Sequence, residues 1–241
     1  IWRSTLVVRV AINGFGRIGR LTYRALVESA RDDIEVVGIN DLGSAEANAH
    51  LLKYDSVHGT LMADISVNGD SMNAGRGDIK ITSEHDPSAL PWASLAVDVV
   101  YECTGRFTDR DKAAGHLNAG AKKVLVSAPA SGADLTVVFG VNEDKLASDH
   151  IVVSNASCTT NCLAPVANAL NKAVGIKKGF MTTIHSFTGD QRTVDTLHPD
   201  LGRARAASLN MIPATTGAAK AVGQVLPELN GKLDGVSMRV P

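Results

Sequence analysis

Cysteine is scarce in this chain: there are three in 241 residues, Cys103, Cys158 and Cys162. Their number and spacing argue against a disulfide framework and fit a reducing compartment, where a free thiol stays reactive. No apolar run approaches the ~20 residues that span a bilayer. Neither sign of charge dominates, since 24 Lys and Arg against 25 Asp and Glu leave a formal net charge of −1. With no block of like charges, nothing supports a nucleic-acid groove or a polybasic membrane patch. Internal repeats and low-complexity segments are also missing. The opening Ile1-Trp2-Arg3-Ser4-Thr5-Leu6 lacks an initiator Met and the apolar core of a signal peptide, and reads as a fragment edge or upstream read-through. The composition that remains, 44% hydrophobic and 20% charged, is that of a globular protein, expected to be cytoplasmic. The length suffices for one large core or two smaller ones.

Short β-branched runs alternate with helical patterns, the signature of an α/β protein built on parallel strands. Residues 7–12 (VVRVAI) read as a buried strand, 17–29 as a helix with Ile18, Leu21, Ala25 and Leu26 at helical spacing, and 34–39 as a second strand. Residues 65–67 and 79–81 suggest a short antiparallel excursion between Gly-rich turns. Further strands are expected over 97–101, 123–126 and 136–139, with a helix over 110–119. A helix should run from Cys158 towards Gly175, and GFMTTI (179–184) should open a second sheet. The polar segment 185–211 is too long to be filler in a compact domain and is expected to be functional. Domains are drawn at 7–156 and 157–241.

Gly14-Phe15-Gly16-Arg17-Ile18-Gly19 is a GxGxxG, a weak signal alone. Here a strand ends at Asn13 and a helix begins beside Arg17, so free N–H groups and the helix dipole would face a bound pyrophosphate. Asp41 follows at the end of the second strand. A carboxylate there accepts both hydroxyls of a ribose and repels a 2′-phosphate, which selects NAD over NADP. The alternative reading is a turn followed by a helix cap.

Ser157-Cys158-Thr159-Thr160-Asn161-Cys162 follows the apolar run 151–153. Cys158 should stand at the first turn of a helix, where partial positive charge stabilises a thiolate, the right nucleophile for an aldehyde. Cys162 lies one turn on. Two sulfurs without a neighbouring His or acid cluster do not make a zinc site, no metal is expected, and Cys162 is read as a small buried hydrophobe. His185 ends the strand GFMTTI; the residues alone leave it open between a structural and a catalytic role.

Seven blocks carry a resemblance: AINGFGRIGR (11–20), IND (39–41), ECTG (102–105), GAKKVLVSAP (120–129), SNASCTTNC (154–162), TTIHS (182–186) and GKLDG (231–235). From Val8 to Pro241 the chain resembles the phosphorylating, NAD-dependent glyceraldehyde-3-phosphate dehydrogenases. The resemblance implies an N-terminal Rossmann domain and an α+β catalytic domain, the latter expected to be truncated because the family continues beyond a strand ending in RVP. Cys158 would be the nucleophile and His185 the base that activates it. Gly14, Gly16, Arg17, Ile18, Gly19, Asp41, Thr104 and Ser127 would contact NAD. Two anion sites are implied, one from Thr188, Asp190 and Arg239, the other from Ser157, Thr159, Thr216 and Gly217 with Arg203 nearby. They would hold the phosphate of glyceraldehyde 3-phosphate and the attacking inorganic phosphate, and a homotetramer is expected.

The chain departs from the family at His85-Asp86-Pro87, where many members carry Arg-Asp-Pro, and at Gly202, in place of a commonly basic residue. Erythrose-4-phosphate dehydrogenase is the nearest rival, and HLLKYDSVHG (50–59) suits either. Thr188 in HSFTGDQ and TGAAKAVG (216–223) favour the triose enzyme. Aspartate-semialdehyde dehydrogenases use NADP and a different cysteine motif. A third reading is a non-catalytic dinucleotide-binding interaction module, which would bind NAD yet form no thioester.

Overall fold

A computed structural model describes residues 7–29 and 31–241, so the reading of Ile1–Leu6 lies outside the described residues. The chain divides into two compact units. One comprises residues up to Thr136 together with Leu146–Asn155, and the other Val137–Lys145 with Ala156–Pro241. The boundary thus falls one residue before the expected one, and the segment Val137–Lys145 belongs with the second unit.

The first unit begins β1 (Val8–Asn13), α1 (Arg17–Glu28), β2 (Ile34–Asn40), α2 (Ala45–Lys53) and a small hairpin, β3 (Tyr54–Asp55) with β4 (Gly59–Thr60). It continues with β5 (Ser66–Asn68), β6 (Ser71–Asn73), β7 (Asp78–Thr82), β8 (Val99–Glu102), α3 (Arg110–Ala113), α4 (Gly115–Asn118), β9 (Lys123–Val126), β10 (Leu135–Thr136) and β11 (Val152–Ser154). Nine strands form one sheet in the order β10-β11-β9-β8-β1-β2-β7-β6-β5. Pairing is parallel from β10 to β7, and β5 and β6 add an antiparallel edge. The central strands are near-continuous apolar runs because both faces are covered. Ile12, Tyr23, Leu52 and Ile79 form one core, and Ala11, Trp92 and Val100 another.

Most expected strands and helices appear with their ends displaced by one or two residues. The antiparallel excursion has an additional strand, β6. The strand expected over 136–139 stops at Thr136: Val138 N–H donates to Asn142 Oδ1 at 2.8 Å and Val141 N–H to Val138 O, so the chain turns out of the ladder. The helix expected over 110–119 breaks at Ala114, whose carbonyl takes a tight bond from Leu117 N–H, while Gly115 packs on Pro87. Helix α2 was not expected. Its signal is Ser44, whose side chain caps Ala47 N–H.

The second unit comprises α5 (Cys158–Val174), β12 (Gly179–Ser186), β13 (Ile212–Ala214), α6 (Ala218–Val225) and β14 (Leu233–Val240). Its sheet runs β12-β14-β13, with β12 parallel and β13 antiparallel to β14. Ala164 and Ala167 of α5 pack with Val222 and Val225 of α6. The long loop starts two residues later than expected because His185 and Ser186 continue β12. No helix among the described residues is long and apolar enough to cross a membrane.

Asp134 closes the β10–β11 edge. Its carboxylate accepts N–H bonds from Ile151 and Val152 at 2.8 and 2.9 Å and from Arg110 Nε at 2.8 Å. Burial pushes the carboxyl up most strongly, but Arg110 and the two backbone donors together outweigh it and hold it at about 2. A depressed folded pKa stabilises fully above the unfolded value of ~3.9 and loses that stabilisation as pH falls through about 2. After discounting for solvent around Arg110, Asp134→Asn should cost about 1–2 kcal/mol at pH 7 in urea unfolding. The gap between the two proteins should close as pH is lowered from ~4 towards ~2.

Candidate active site

The order of the large sheet reverses at β1, which has β2 on one side and β8 on the other. Parallel sheets bind ligands in the crevice this leaves at the strands' carboxyl ends. A cavity of about 270 Å³ lies there, lined by Asn13, Gly14, Gly16, Asn40, Asp41, Leu42, Glu84, His85, Cys103, Thr104, Arg106 and Phe107. Two glycines, Gly14 and Gly16, line it, and Gly19 packs behind them. Gly14 has φ +88°, and a Cβ on it would lie 2.7 Å from Thr104 N. A Cβ on Gly19 would lie 2.2 Å from Gly14 O, so loop and helix close backbone to backbone. A Cβ on Gly16 would meet nothing within 4 Å; that residue faces open space.

Helix α1 starts from Gly16 with no side-chain cap, leaving its first-turn N–H groups available to an anion. Asp41 accepts from Phe15 N–H at 2.8 Å and Gly43 N–H at 2.9 Å, which fixes the glycine loop to β2. Each carboxylate oxygen keeps a lone pair for a ribose hydroxyl. An uncapped helix start, an open glycine and an acceptor-only carboxylate fit a dinucleotide.

Of the cofactor residues named from the sequence, Gly14, Gly16, Asp41 and Thr104 line this cavity. Gly19 acts behind it. Arg17 is ion-paired with Asp55, and Ile18 is exposed. Ser127 is hydrogen-bonded to the Cys103 thiol. Burial pushes that thiol up to about 11, outweighing the Ser127 bond, so Cys103 is no nucleophile at neutral pH. Asn13, Asn40, Glu84 and Phe107 were not singled out, although IND and ECTG bracket part of the wall.

In the second unit Cys158 is the first residue of α5. The Ser157 hydroxyl caps the helix, accepting from Thr160 N–H at 3.0 Å. Two residues before Cys158, Ala156 takes a left-handed backbone (φ 56°) and is held by burial of its methyl group beside Ala164, Ala167 and Val222 in the core of the second unit. Cys158 Sγ lies 3.3 Å from His185 Nε2. The register of β12 on β14 sets His185 opposite Arg239, whose Nη1 is 2.7 Å from His185 Nδ1. Ser186 O lies at the same distance from that nitrogen. These two contacts belong to different tautomers. With Nδ1–H donating to Ser186 O, Nε2 presents a lone pair to the thiol; with Nδ1 accepting from Arg239, Nε2–H faces a thiolate.

Cys162 is exposed, which corrects its reading as a buried hydrophobe. The face of α5 that enters the core carries Thr160, Ala164, Ala167 and Asn168, whereas Cys158, Cys162, Val166 and Leu170 form the outward stripe. Among the described residues no group of three or more His, Cys, Asp or Glu is placed to hold a metal ion.

Thr188, Asp190 and Arg203 are gathered in the long loop. Asp190 pairs with Arg203 at 3.1 Å, and the buried Gln191 accepts from Thr188 N–H at 2.9 Å while donating to Asp190 at 3.2 Å. Gln191 ends HSFTGDQ without a role legible in the sequence. Arg203 also lines a cavity of about 450 Å³ with Thr182, Asp200 and Thr215. Ser157 and Thr159 occupy the start of α5, and Thr216 and Gly217 the start of α6, with Thr216 Oγ1 accepting from Ala218 N–H at 3.2 Å.

Two family models match the chain. Residues 8–110 match the glyceraldehyde 3-phosphate dehydrogenase NAD binding domain, and 157–241 match the C-terminal domain of the same family. Among curated relatives, the glyceraldehyde-3-phosphate dehydrogenase of Xanthobacter flavus is 68% identical over 234 residues, covering 97% of this chain and 70% of the relative. That of Cereibacter sphaeroides is 65% identical over 98% of the chain and 70% of its own length. That of Geobacillus stearothermophilus is 58% identical with the same coverage.

The Cys158–His185 contact makes the two exposed thiols separable. His185→Asn should slow alkylation of Cys158 by iodoacetamide by about tenfold and leave Cys162 unaffected, read by peptide mass spectrometry over time.

Proposed function

The chain belongs to the glyceraldehyde 3-phosphate dehydrogenase family, and from that premise we propose that Cys158 and His185 carry out the NAD-dependent oxidation of D-glyceraldehyde 3-phosphate to 1,3-bisphosphoglycerate. The observation that carries the assignment is the 3.3 Å separation of Cys158 Sγ and His185 Nε2 at the start of a 17-residue helix.

His185 Nε2 takes the thiol proton, and the helix terminus favours the resulting thiolate. Sγ attacks the aldehyde carbon while Nε2–H returns the proton to the carbonyl oxygen, forming a hemithioacetal on Cys158. NAD, when bound by the glycine loop and Asp41, supplies the acceptor for the hydride lost from that carbon. As the hydride leaves, His185 removes the hydroxyl proton, and a thioester remains on Cys158. Inorganic phosphate then adds to the thioester carbonyl, His185 Nε2–H stabilises the oxyanion, and Sγ departs as the thiolate.

Thr188, Asp190 and Arg239 are proposed to bind one phosphate, and Ser157, Thr159, Thr216 and Gly217 the other. Hydroxyls, helix-start N–H groups and arginine forks support that division. Arg203, paired with Asp190 and close in sequence to neither helix start, is proposed to serve the loop between the two groups. Exposed Leu197, Leu201, Leu209 and Met211 in that loop support burial against another copy of the chain, in keeping with a homotetramer. Three free thiols support a reducing, cytoplasmic setting.

The test is NADH absorbance with NAD, glyceraldehyde 3-phosphate and phosphate. Sustained NADH production should require all three, with no more than one equivalent per Cys158 formed without phosphate, and both should vanish in Cys158→Ser. Arsenate should replace phosphate, since it too attacks a thioester. Turnover that survives Cys158→Ser, or that prefers erythrose 4-phosphate, would overturn the assignment.

A further inference from the structure

Glu102 takes no part in the chemistry above, yet four donors converge on its carboxylate, which is 1% exposed. Thr104 donates both its N–H (2.8 Å) and its hydroxyl to Oε1. Asn13 Nδ2 donates to Oε2 at 2.5 Å, and His116 Nε2 lies 3.0 Å from the same oxygen. The direction of the last bond is determined. Trp92 Nε1–H can only donate, and does so to His116 Nδ1 at 3.0 Å, so Nε2 carries the ring proton.

The other end of the network is equally constrained. Asn13 Oδ1 accepts from Asn40 Nδ2 at 2.8 Å. Asn40 cannot be turned over, because Glu84 N–H donates to its Oδ1 at 2.8 Å while its Nδ2 donates to Glu84 O at 2.9 Å. Three anchors that cannot reverse, the Trp92 indole N–H, the Thr104 amide and the Glu84 backbone, therefore require an acceptor on both oxygens of residue 102. A glutamine would set its NH₂ against Thr104 N–H or against Asn13 and His116.

Asn13, Asn40, Glu84 and Thr104 all line the 270 Å³ cavity at the end of β1. Thr104 N also touches the place where a Cβ on Gly14 would stand. We propose that Glu102 is a positioning residue for the cofactor: its carboxylate, through Thr104 and Asn13, holds the glycine loop and the ends of β1 and β2 in the shape that binds NAD. The proposal rests on the reading of this cavity as the NAD site.

Calorimetric titration of the full 241-residue chain with NAD tests it. Glu102→Gln should weaken NAD binding about tenfold or more, the scale of one lost bond to a charged acceptor. KM for NAD should rise while kcat at saturating NAD changes little. The rate of Cys158 alkylation, which reports on the second unit and needs no cofactor, should stay unchanged. Thr104→Val should weaken binding in the unmutated background and add nothing in the Glu102→Gln background. Glu102→Gln that lowers the melting temperature yet binds NAD as tightly as the parent would overturn the proposal, as would a Thr104→Val effect of equal size in both backgrounds. If Glu102→Gln does not fold, hydrogen exchange decides on the unmutated chain. The Thr104 amide should be protected without NAD, and exchange at open-loop rates overturns the proposal. Asp41→Ala separates the two readings. Unchanged NAD binding in that variant would remove the cavity itself as the cofactor site, and Glu102 with it. Weakened binding there beside a normal Glu102→Gln would remove Glu102 alone.

Discussion

A strand with parallel neighbours on both sides, reached by connections that depart in opposite directions, leaves a crevice at its carboxyl end that no side chain of the sheet fills. In this chain that strand is β1, and its position between β2 and β8 governs the arrangement of the first unit. The glycine loop must leave β1 and turn into α1 within three residues, which only backbone-to-backbone packing allows; hence the absence of a Cβ on Gly14 and Gly19. Polar residues at the strand ends, Asn13, Asn40 and Glu102, cannot reach bulk water and satisfy one another instead. The cavity wall is thus a by-product of hydrogen-bond accounting at a topological reversal.

The second unit solves a different problem with a smaller sheet. A thiol becomes useful only beside a group that takes its proton and near a partial positive charge. Ser157 starts α5 where Cys158 can feel that charge, and the pairing of β12 with β14 brings His185 and Arg239 side by side. A slip of one residue in that pairing would turn His185 to the opposite face of the sheet. The two partners of His185 Nδ1, Ser186 O and Arg239, connect the histidine's two tautomers to an arginine proposed to bind substrate phosphate.

Much of this was legible in residues. GxGxxG between a strand and a helix, Asp41 at the end of the next strand, and a Ser-Cys pair after an apolar run each name a local geometry, and the structure has those elements within a residue or two. Where the reading went astray, tertiary context overrode local pattern. Val137 and Val138 look like strand, yet an Asn142 side chain draws the backbone into a turn. Cys162 looks like core, yet the buried stripe of α5 is set by Thr160, Ala164 and Ala167, and position 162 falls outside it. Gln191 carried no signal of its own, and Glu102 stood within the ECTG block without a role, because a buried polar residue is recognised by its partners.

The sequence by itself determined the class of fold, most of its elements and the candidate thiol at the start of a helix, since these depend on periodicity, glycine placement and side-chain chemistry within a few residues. Only the tertiary structure decided which distant groups meet. Cys158 and His185 are 27 positions apart and His185 and Arg239 are 54. Glu102 joins Asn13 across 89 positions. Such contacts arise from strand register and sheet order, which are settled by burying apolar faces over the whole unit and are therefore written in no single stretch of the chain.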